Sequence, residues 1–515
     1  MEETKVNWIK KNWILVLILI VGAFLRLYKI DAYMTFLGDE GRDVIIVRNL
    51  LVNADPILIG PGTSVGGMYL GPLYYYFMTP FLLLWNFSPV GSAVGVAFLG
   101  VVTIYLIYVA ATEWFSVKAG LISALLYAIS PTVITYSHSS WNPNIMPFFA
   151  LLSIYSIWRV YEQRKYIWLL ITAVSFAFVL QSHYLGVFIA PVLLFYYLIT
   201  VRQLRVTSYE LKNPSPVTRH FITQSLVSLF VFLSLMSPLL IFDIRHDWMN
   251  SKALYKFLTV REEILSVNPW SSISKTYPLF EQINSSMLTA KQKPAGKIIT
   301  IIITLSITIF LFKKKRFTVH RSPFTLLLLW LAIGVIGLSL YELSSGGQKQ
   351  NIYDHYFGFL FPVPFLLVGV IFQKMYESKY KLITVLIFGV LVFLNLSRSP
   401  IRKNPNNQMR RAENVSEKII NESKNEKFNI AVVADTNYED GYQYFLEKEN
   451  AKIIEIDAQI PKTVTNQLFV ICEKEKAKCD PTHSSKAEVA NFGWSKIENE
   501  WEVDGVTIYK LIHTK

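Results

Sequence analysis

The stretch "FLGDEGRDVIIVRNLL", residues 36–51, directly follows the apolar run "WILVLILIVGAFLRLYKI" of residues 13–30. A helix needs about 20 apolar residues to cross a bilayer. The run is too long for a signal peptide, and no small-residue cleavage site follows it, so it reads as a retained first span. Four charged residues then crowd the rim of that span: Asp39, Glu40, Arg42 and Asp43. Beyond them Val44, Ile45, Val47 and Leu51 recur at helical spacing. The spacing predicts an amphipathic helix starting near Asp43, lying flat at the interface and holding Asp39 and Glu40 against the bilayer. A carboxylate with one dry side can serve as a general base. Acids at a membrane rim can also simply be solvated, or cap the helix that follows.

Composition sets the class. The chain has 515 residues, 52% hydrophobic and 17% charged, against roughly 25% charged in soluble proteins. Mean hydropathy is +0.35. The net charge of +13 fits the Lys and Arg that membrane proteins gather in cytoplasmic loops. No basic-aromatic strip suited to nucleic acid is present. The expected fold is mainly α, a polytopic membrane protein of about 11 transmembrane helices, with a small C-terminal α/β soluble domain.

The spanning candidates lie near 13–30, 92–112, 119–137, 144–160, 166–182, 184–200, 221–242, 297–312, 323–342, 356–373 and 381–397. The stretch "GPLYYYFMTPFLLLW" (71–85) is short, broken by Pro72 and Pro80 and crowded with tyrosines. It reads as interfacial or re-entrant, with Tyr74, Tyr75 and Tyr76 as an aromatic belt. Alternate loops then collect the cations on one side: Lys10 and Lys11; Arg159, Arg164 and Lys165; Arg202, Arg205, Lys212 and Arg219; Lys313, Lys314, Lys315, Arg316 and Arg321; Lys374, Lys379 and Lys381. By the positive-inside rule that side is cytoplasmic. The N-terminus is then inside the cytoplasmic membrane and the tail outside, although Arg398, Arg402, Lys403, Arg410 and Arg411 run against the count. On this topology Asp39, Glu40, Arg42, His138, Asn142, His183, Asp243, His246, Asp247, Asp354 and His355 all share the outer face.

Residues 1–399 are read as the membrane-embedded part, with a first outer loop at 31–91, and 400–515 as an extracytoplasmic accessory domain. In the latter, "FNIAVVADTN" and "NQLFVICE" predict buried strands. "EDGYQYFLEKEN" predicts a helix, and "WEVDGVTIYKLI" a hairpin turning on Asp-Gly. No catalytic motif is visible there, so packing or acceptor docking is its expected role. Cys472 and Cys479 can pair if the tail faces an oxidising space, and two free thiols fit equally well. His138, ahead of Trp141, reads as packing, and the Asp243, His246 and Asp247 group as a loop turn rather than a metal site.

Five stretches in order, "GDEGRD", "GPLYYYFMTP", "ISPTVITYSHSSWNPNIMPFFALL", "QSHYLG" and "YDHYFGFLFPVP", resemble the polyprenyl-phosphate-dependent glycosyltransferases of the C-type (GT-C) superfamily. The protein O-mannosyltransferases and the lipid A aminoarabinose transferases are the nearest branches. The resemblance covers about residues 1–400. It implies transfer of a sugar from a polyprenyl-phosphate donor to an acceptor hydroxyl on a lipid, a protein or a cell-envelope glycan. It assigns Asp39 as the base, with Glu40 orienting it or a substrate hydroxyl. Arg42, His183 and His355 are the candidate cations for donor phosphate, and Asn142 and Tyr356 are further substrate contacts.

Three departures stand out. Members often carry Lys-Pro-Pro-Leu where this chain has "LGPL" (70–73), Asp where it has "SSWNPN", and Arg-Tyr where it has His355-Tyr356. No cofactor is firmly implied, and a divalent metal bridging the outer loops is allowed. The rival reading is a transporter of polyprenyl-linked glycans, which would call for charges inside the spans.

Overall fold

The computed structural model describes residues 12–64, 66–204, 215–259, 271–313, 322–344 and 352–514. The cations Lys10, Lys11, Arg205, Lys212, Lys314, Lys315, Arg316 and Arg321, used in the topology count, lie outside them. Among the described residues, five helices are long and apolar enough to cross a membrane: Pro89–Trp114, Tyr184–Gln203, Pro216–Arg245, Lys293–Phe312 and Pro323–Tyr341. Two broken pairs qualify as bent spans, Val117–Ile129 with Pro131–Ser137 (63°) and Asp354–Leu360 with Pro362–Tyr376 (54°). Trp13–Leu27, Leu73–Leu84, Trp168–Ser182 and Lys381–Ser397 are shorter apolar helices. The run predicted at 144–160 is also helical, as Met146–Gln163, and is largely buried. The protein is a multi-pass membrane protein.

The first bend has a chemical cause. Pro131 has no N–H to offer the carbonyl four residues back, that of Tyr127. Arg26, fully buried in the last turn of Trp13–Leu27, donates instead to Tyr127 O (3.3 Å) and Ala128 O (2.9 Å). The charge that the sequence places near a helix end thus closes a broken helix.

The stretch at 71–85 folds as the twelve-residue helix Leu73–Leu84. The aromatic belt expected there does not form. Tyr74 and Tyr75 are buried, and of the three only Tyr76 is well exposed. The reason is local: Tyr75 Oη donates to Asp43 (3.1 Å) and Tyr74 Oη pairs with Ser140 Oγ (2.8 Å). Those buried partners hold both rings inward.

The tail carries a four-stranded sheet of order β1-β2-β4-β3, with β1 Asn429–Val433, β2 Gln467–Cys472, β3 Ser495–Val503 and β4 Val506–His513. β1 and β2 run parallel and are buried along their whole length. The β3–β4 hairpin turns on Asp504 and Gly505, both at positive φ, which a two-residue hairpin turn requires. Helix Asp440–Lys448 lies between β1 and β2 in sequence. Cys472, the last residue of β2, is bonded to Cys479, with Cα atoms 6.3 Å apart.

The tail is fastened to the first outer loop. Asn407 N donates to Ala32 O (3.0 Å), and Tyr33 Oη donates to Lys403 O (2.8 Å). Phe36 meets Phe445 edge-on at 5.7 Å. One continuous buried cluster runs from Leu25 and Val44 through Val415 to Ile508.

Candidate active site

The rim helix is Gly38–Asn53. It starts a turn earlier than expected, which puts Asp39 and Glu40 in its first turn, where the helix dipole favours acids. Its apolar face, Val44 and Val47, is buried. Helix Asp440–Lys448 of the tail crosses its start at close range: a Cβ on Gly41 would stand 2.3 Å from Gly441 N. Only glycine allows that approach.

The four rim charges have separate surroundings. Arg42 lies between two acids, with Nη1 2.8 Å from Asp39 Oδ1 and Nη2 2.8 Å from Asp43 Oδ1. Asp39 keeps 42% of its side-chain exposure, whereas Asp43 has none. Burial pushes the Asp43 carboxyl up to about 6, although Arg42 pulls it back down. Glu40 bonds to backbone rather than to Arg42. Its Oε2 accepts from Leu37 N–H at 3.0 Å, on the helix's own first turn. Among the described residues no hydrogen bond joins Glu40 to Asp39, so the expectation that it orients Asp39 directly is not met, while both carboxylates line one cavity in which Glu40 can still reach a substrate hydroxyl. Burial pushes Glu40 up to about 7.

Asp39 and Arg42 line a cavity of about 160 Å³ together with Asn142, His183, His355 and Tyr356. These residues come from four separate segments. His183 sits at the break between helices Trp168–Ser182 and Tyr184–Ile189. Asn142 opens a short 3-10 turn, and its Nδ2 donates to Ser182 O (2.7 Å), tying that turn to the break. The His183 ring is 6.1 Å from that of His355 and 5.5 Å from that of Tyr356, and Trp141 meets His355 edge-on at 4.7 Å.

Burial, with His355 nearby, pushes the His183 imidazole down to about 3. His183 is therefore neutral at pH 7 rather than the cation expected. Its Nδ1 accepts from Leu185 N–H (3.2 Å), which leaves the ring proton on Nε2 as a donor. Asp354, next to His355, is held by Lys291 (2.7 Å) and Ser286 Oγ (2.9 Å).

The packing read for His138 agrees with the geometry, whereas Asp243, expected in a solvated loop turn, is buried in the last turn of helix Pro216–Arg245. His138 is buried with Nε2 3.0 Å from Leu25 O. Asp243 accepts from Asn250 N (2.7 Å) and Ser251 Oγ (2.5 Å) in a turn through Asp247 and Trp248, both at positive φ. Among the described residues no group of three His, Cys, Asp or Glu could hold a metal ion. At the rim, one oxygen each of Asp39 and Asp43 is already engaged by Arg42.

Sequence reasoning missed the tail residue that bonds to Asp39. Tyr438, from the tail, donates from Oη to Asp39 Oδ1 at 2.5 Å. No local pattern flags a tyrosine 399 residues away from its partner. Asp39 also lines a second cavity of about 340 Å³, with Thr135, Tyr136, Trp141, Thr436 and Tyr438 on its walls.

A sequence model of the dolichyl-phosphate-mannose-protein mannosyltransferase family matches residues 70–242, about a third of the chain. That segment holds Asn142 and His183 but neither the rim helix nor His355. No curated protein matches the sequence. Among solved structures, archaeal oligosaccharyltransferase AglB from Archaeoglobus fulgidus, bound to an inhibitory peptide and a dolichol-phosphate, superposes with a TM-score of 0.51. Identity is 13%, over 90% of this chain and 70% of that one. The oligosaccharyltransferase of the same organism with zinc and sulfate gives 0.53 at 15% identity, over 89% and 67%. ArnT from Cupriavidus metallidurans bound to undecaprenyl phosphate gives 0.50 at 12% identity, over 97% and 98%.

Proposed function

We propose that this chain, which has the fold of the C-type (GT-C) membrane glycosyltransferases, moves a sugar from a polyprenyl-phosphate donor to an acceptor hydroxyl, with Asp39 as general base. One observation carries the reading: Asp39 lines both the small cavity with Arg42 and His183 and the larger one roofed by the tail. A base that works between two substrates has to stand where both can reach it.

The chemistry follows from the groups present. The acceptor O–H gives its proton to Asp39 while its oxygen bonds to the anomeric carbon. The bond from that carbon to the phosphate oxygen breaks, and its electron pair leaves on the polyprenyl phosphate. Arg42, with the Nε2–H of His183, meets the charge that builds on that leaving group. Because His183 is neutral, it supplies a hydrogen bond rather than a charge. Arg42 brings a permanent positive charge to this cavity, and it is shared with Asp39 and Asp43. Asn142, His355 and Tyr356 would contact the sugar or phosphate from the other walls.

The site is assigned to the outer face of the cytoplasmic membrane. The loop charges favour this orientation, and so does the Cys472–Cys479 bond, because disulfides persist in oxidising compartments. A lipid, protein or cell-envelope glycan acceptor would enter from the side roofed by the tail. The purified chain in proteoliposomes, given undecaprenyl- and dolichyl-phosphate hexoses and pentoses with acceptor extracts, should release free polyprenyl phosphate and form a glycosylated product. Donor that crosses the bilayer intact, with no product formed, would instead mark a transporter.

A further inference from the structure

We infer that Tyr438, supplied by the C-terminal domain, is a positioning residue for Asp39, so that the tail completes the catalytic centre rather than merely packing against it. The inference rests on the reading of Asp39 as the base. Its ground is the separate use made of the two carboxylate oxygens. Oδ1 takes two hydrogen bonds, from Tyr438 Oη at 2.5 Å and from Arg42 Nη1 at 2.8 Å. Oδ2 has no hydrogen-bond partner among the described residues. A carboxylate pinned through one oxygen presents the other in a fixed direction. A base gains most from this, because proton transfer depends steeply on approach geometry.

The surroundings of Tyr438 are built to hold it there. Its ring lies flat against Gly38, where an added Cβ would stand 2.4 Å from the ring atoms. Asn437 Oδ1 accepts from both Tyr438 N and Gly38 N, each at 2.9 Å, which joins the tail to the first residue of the rim helix. Asn437 Nδ2 donates to Glu473 Oε1 at 2.6 Å. Glu473 follows Cys472, the disulfide-bonded end of β2. A connected path thus runs from the sheet to Asp39. Burial pushes the Tyr438 phenol up, so it stays protonated and donates across the working pH range.

The test uses the full-length chain in nanodiscs under steady-state transfer. Tyr438→Phe keeps the ring on Gly38 and removes only the hydroxyl. The inference expects kcat to fall about tenfold or more, the usual scale for a lost hydrogen bond to a charged group. KM for donor and acceptor should stay within about twofold. The control is Tyr444→Phe, which removes another tail hydroxyl, bonded to Phe87 O away from Asp39. It should leave kcat unchanged. Normal or faster turnover in Tyr438→Phe, or an equal loss in both variants, overturns the inference. Asp39→Asn separates the two claims. If it is inactive while Tyr438→Phe turns over normally, only the positioning role fails. If Asp39→Asn itself turns over normally, the base reading fails.

Discussion

Arg42 meets Asp43 Oδ1 twice, from Nε at 3.1 Å and from Nη2 at 2.8 Å, and the Asp43 side chain has no solvent exposure. Removing one partner of a fully buried pair costs roughly 3–5 kcal/mol. Here Arg42 is 29% exposed and keeps Asp39 as a second partner, so Asp43→Ala should cost less, about 2 kcal/mol. Denaturant unfolding in mixed micelles reads this directly. A loss too small to detect would mean that the pair does not hold the rim helix.

The buried acids also set a pH dependence of stability. Burial raises Glu40 from 4.5 to about 7 and Asp43 from 3.8 to about 6. An acid whose folded-state value is raised binds more protons folded than unfolded, so stability falls as pH rises through that window. For Glu40 alone the loss between about pH 4.5 and 7 is on the order of 3 kcal/mol. His183, held down to about 3, works in the opposite sense in wild type and variant alike, so the Glu40 contribution is read, from melting at pH 5 and pH 8, as the difference between wild type and a variant that lacks the carboxyl. Glu40→Gln, which can still accept from Leu37 N–H, should lack the Glu40 share of the fall. Equal slopes in the two proteins would contradict the buried-carboxyl account.

Gly41 tests the fastening of the tail. Gly41→Ala puts a methyl 2.3 Å from Gly441 N and 2.4 Å from Asp440 C. Backbone cannot yield as a side-chain tip can, and overpacking costs about 1–3 kcal/mol. The variant should expose the tail to limited proteolysis and lose activity. Unchanged protection would show that the contact is loose in solution.

Orientation is open to labelling. Lys165→Cys on the predicted inner side and Ser485→Cys in the tail should react differently with a membrane-impermeant maleimide in intact cells. The tail position should label at once, and the loop position only after permeabilisation. Cys472 and Cys479 are bonded to each other and stay silent. Equal labelling of both positions would reject the topology.

Much of this architecture could be read from the residues, and the limits of that reading have physical causes. The apolar runs declare themselves because a bilayer demands length and hydropathy. The Asp504-Gly505 hairpin is legible because so few residues tolerate its φ angles. The residues around the small cavity were reachable because each sits at a break between apolar segments, where polar side chains have little reason to gather unless they act together. The bond from Leu37 N–H to Glu40 was not legible because adjacent acids look alike in sequence, whereas helix phase gives them different partners. His183 was taken as a cation because its charge depends on burial, which no local pattern records. Tyr438 stayed hidden because its contact is made by folding the tail back over the first outer loop.

The most direct test of the account is Asp39→Asn in a cell-free transfer reaction with a polyprenyl-phosphate sugar, with donor affinity and protein yield measured alongside. Asn keeps the shape and can still accept from Tyr438 and Arg42, but it cannot take a proton. General-base loss costs about 10²–10⁴ in rate, so turnover should nearly stop while donor binding and yield hold. Turnover close to wild type would contradict the account, because an enzyme that needs Asp39 as its base cannot run without the carboxylate; the rim acids would then be structural, and the likeness to glycosyltransferases one of fold alone.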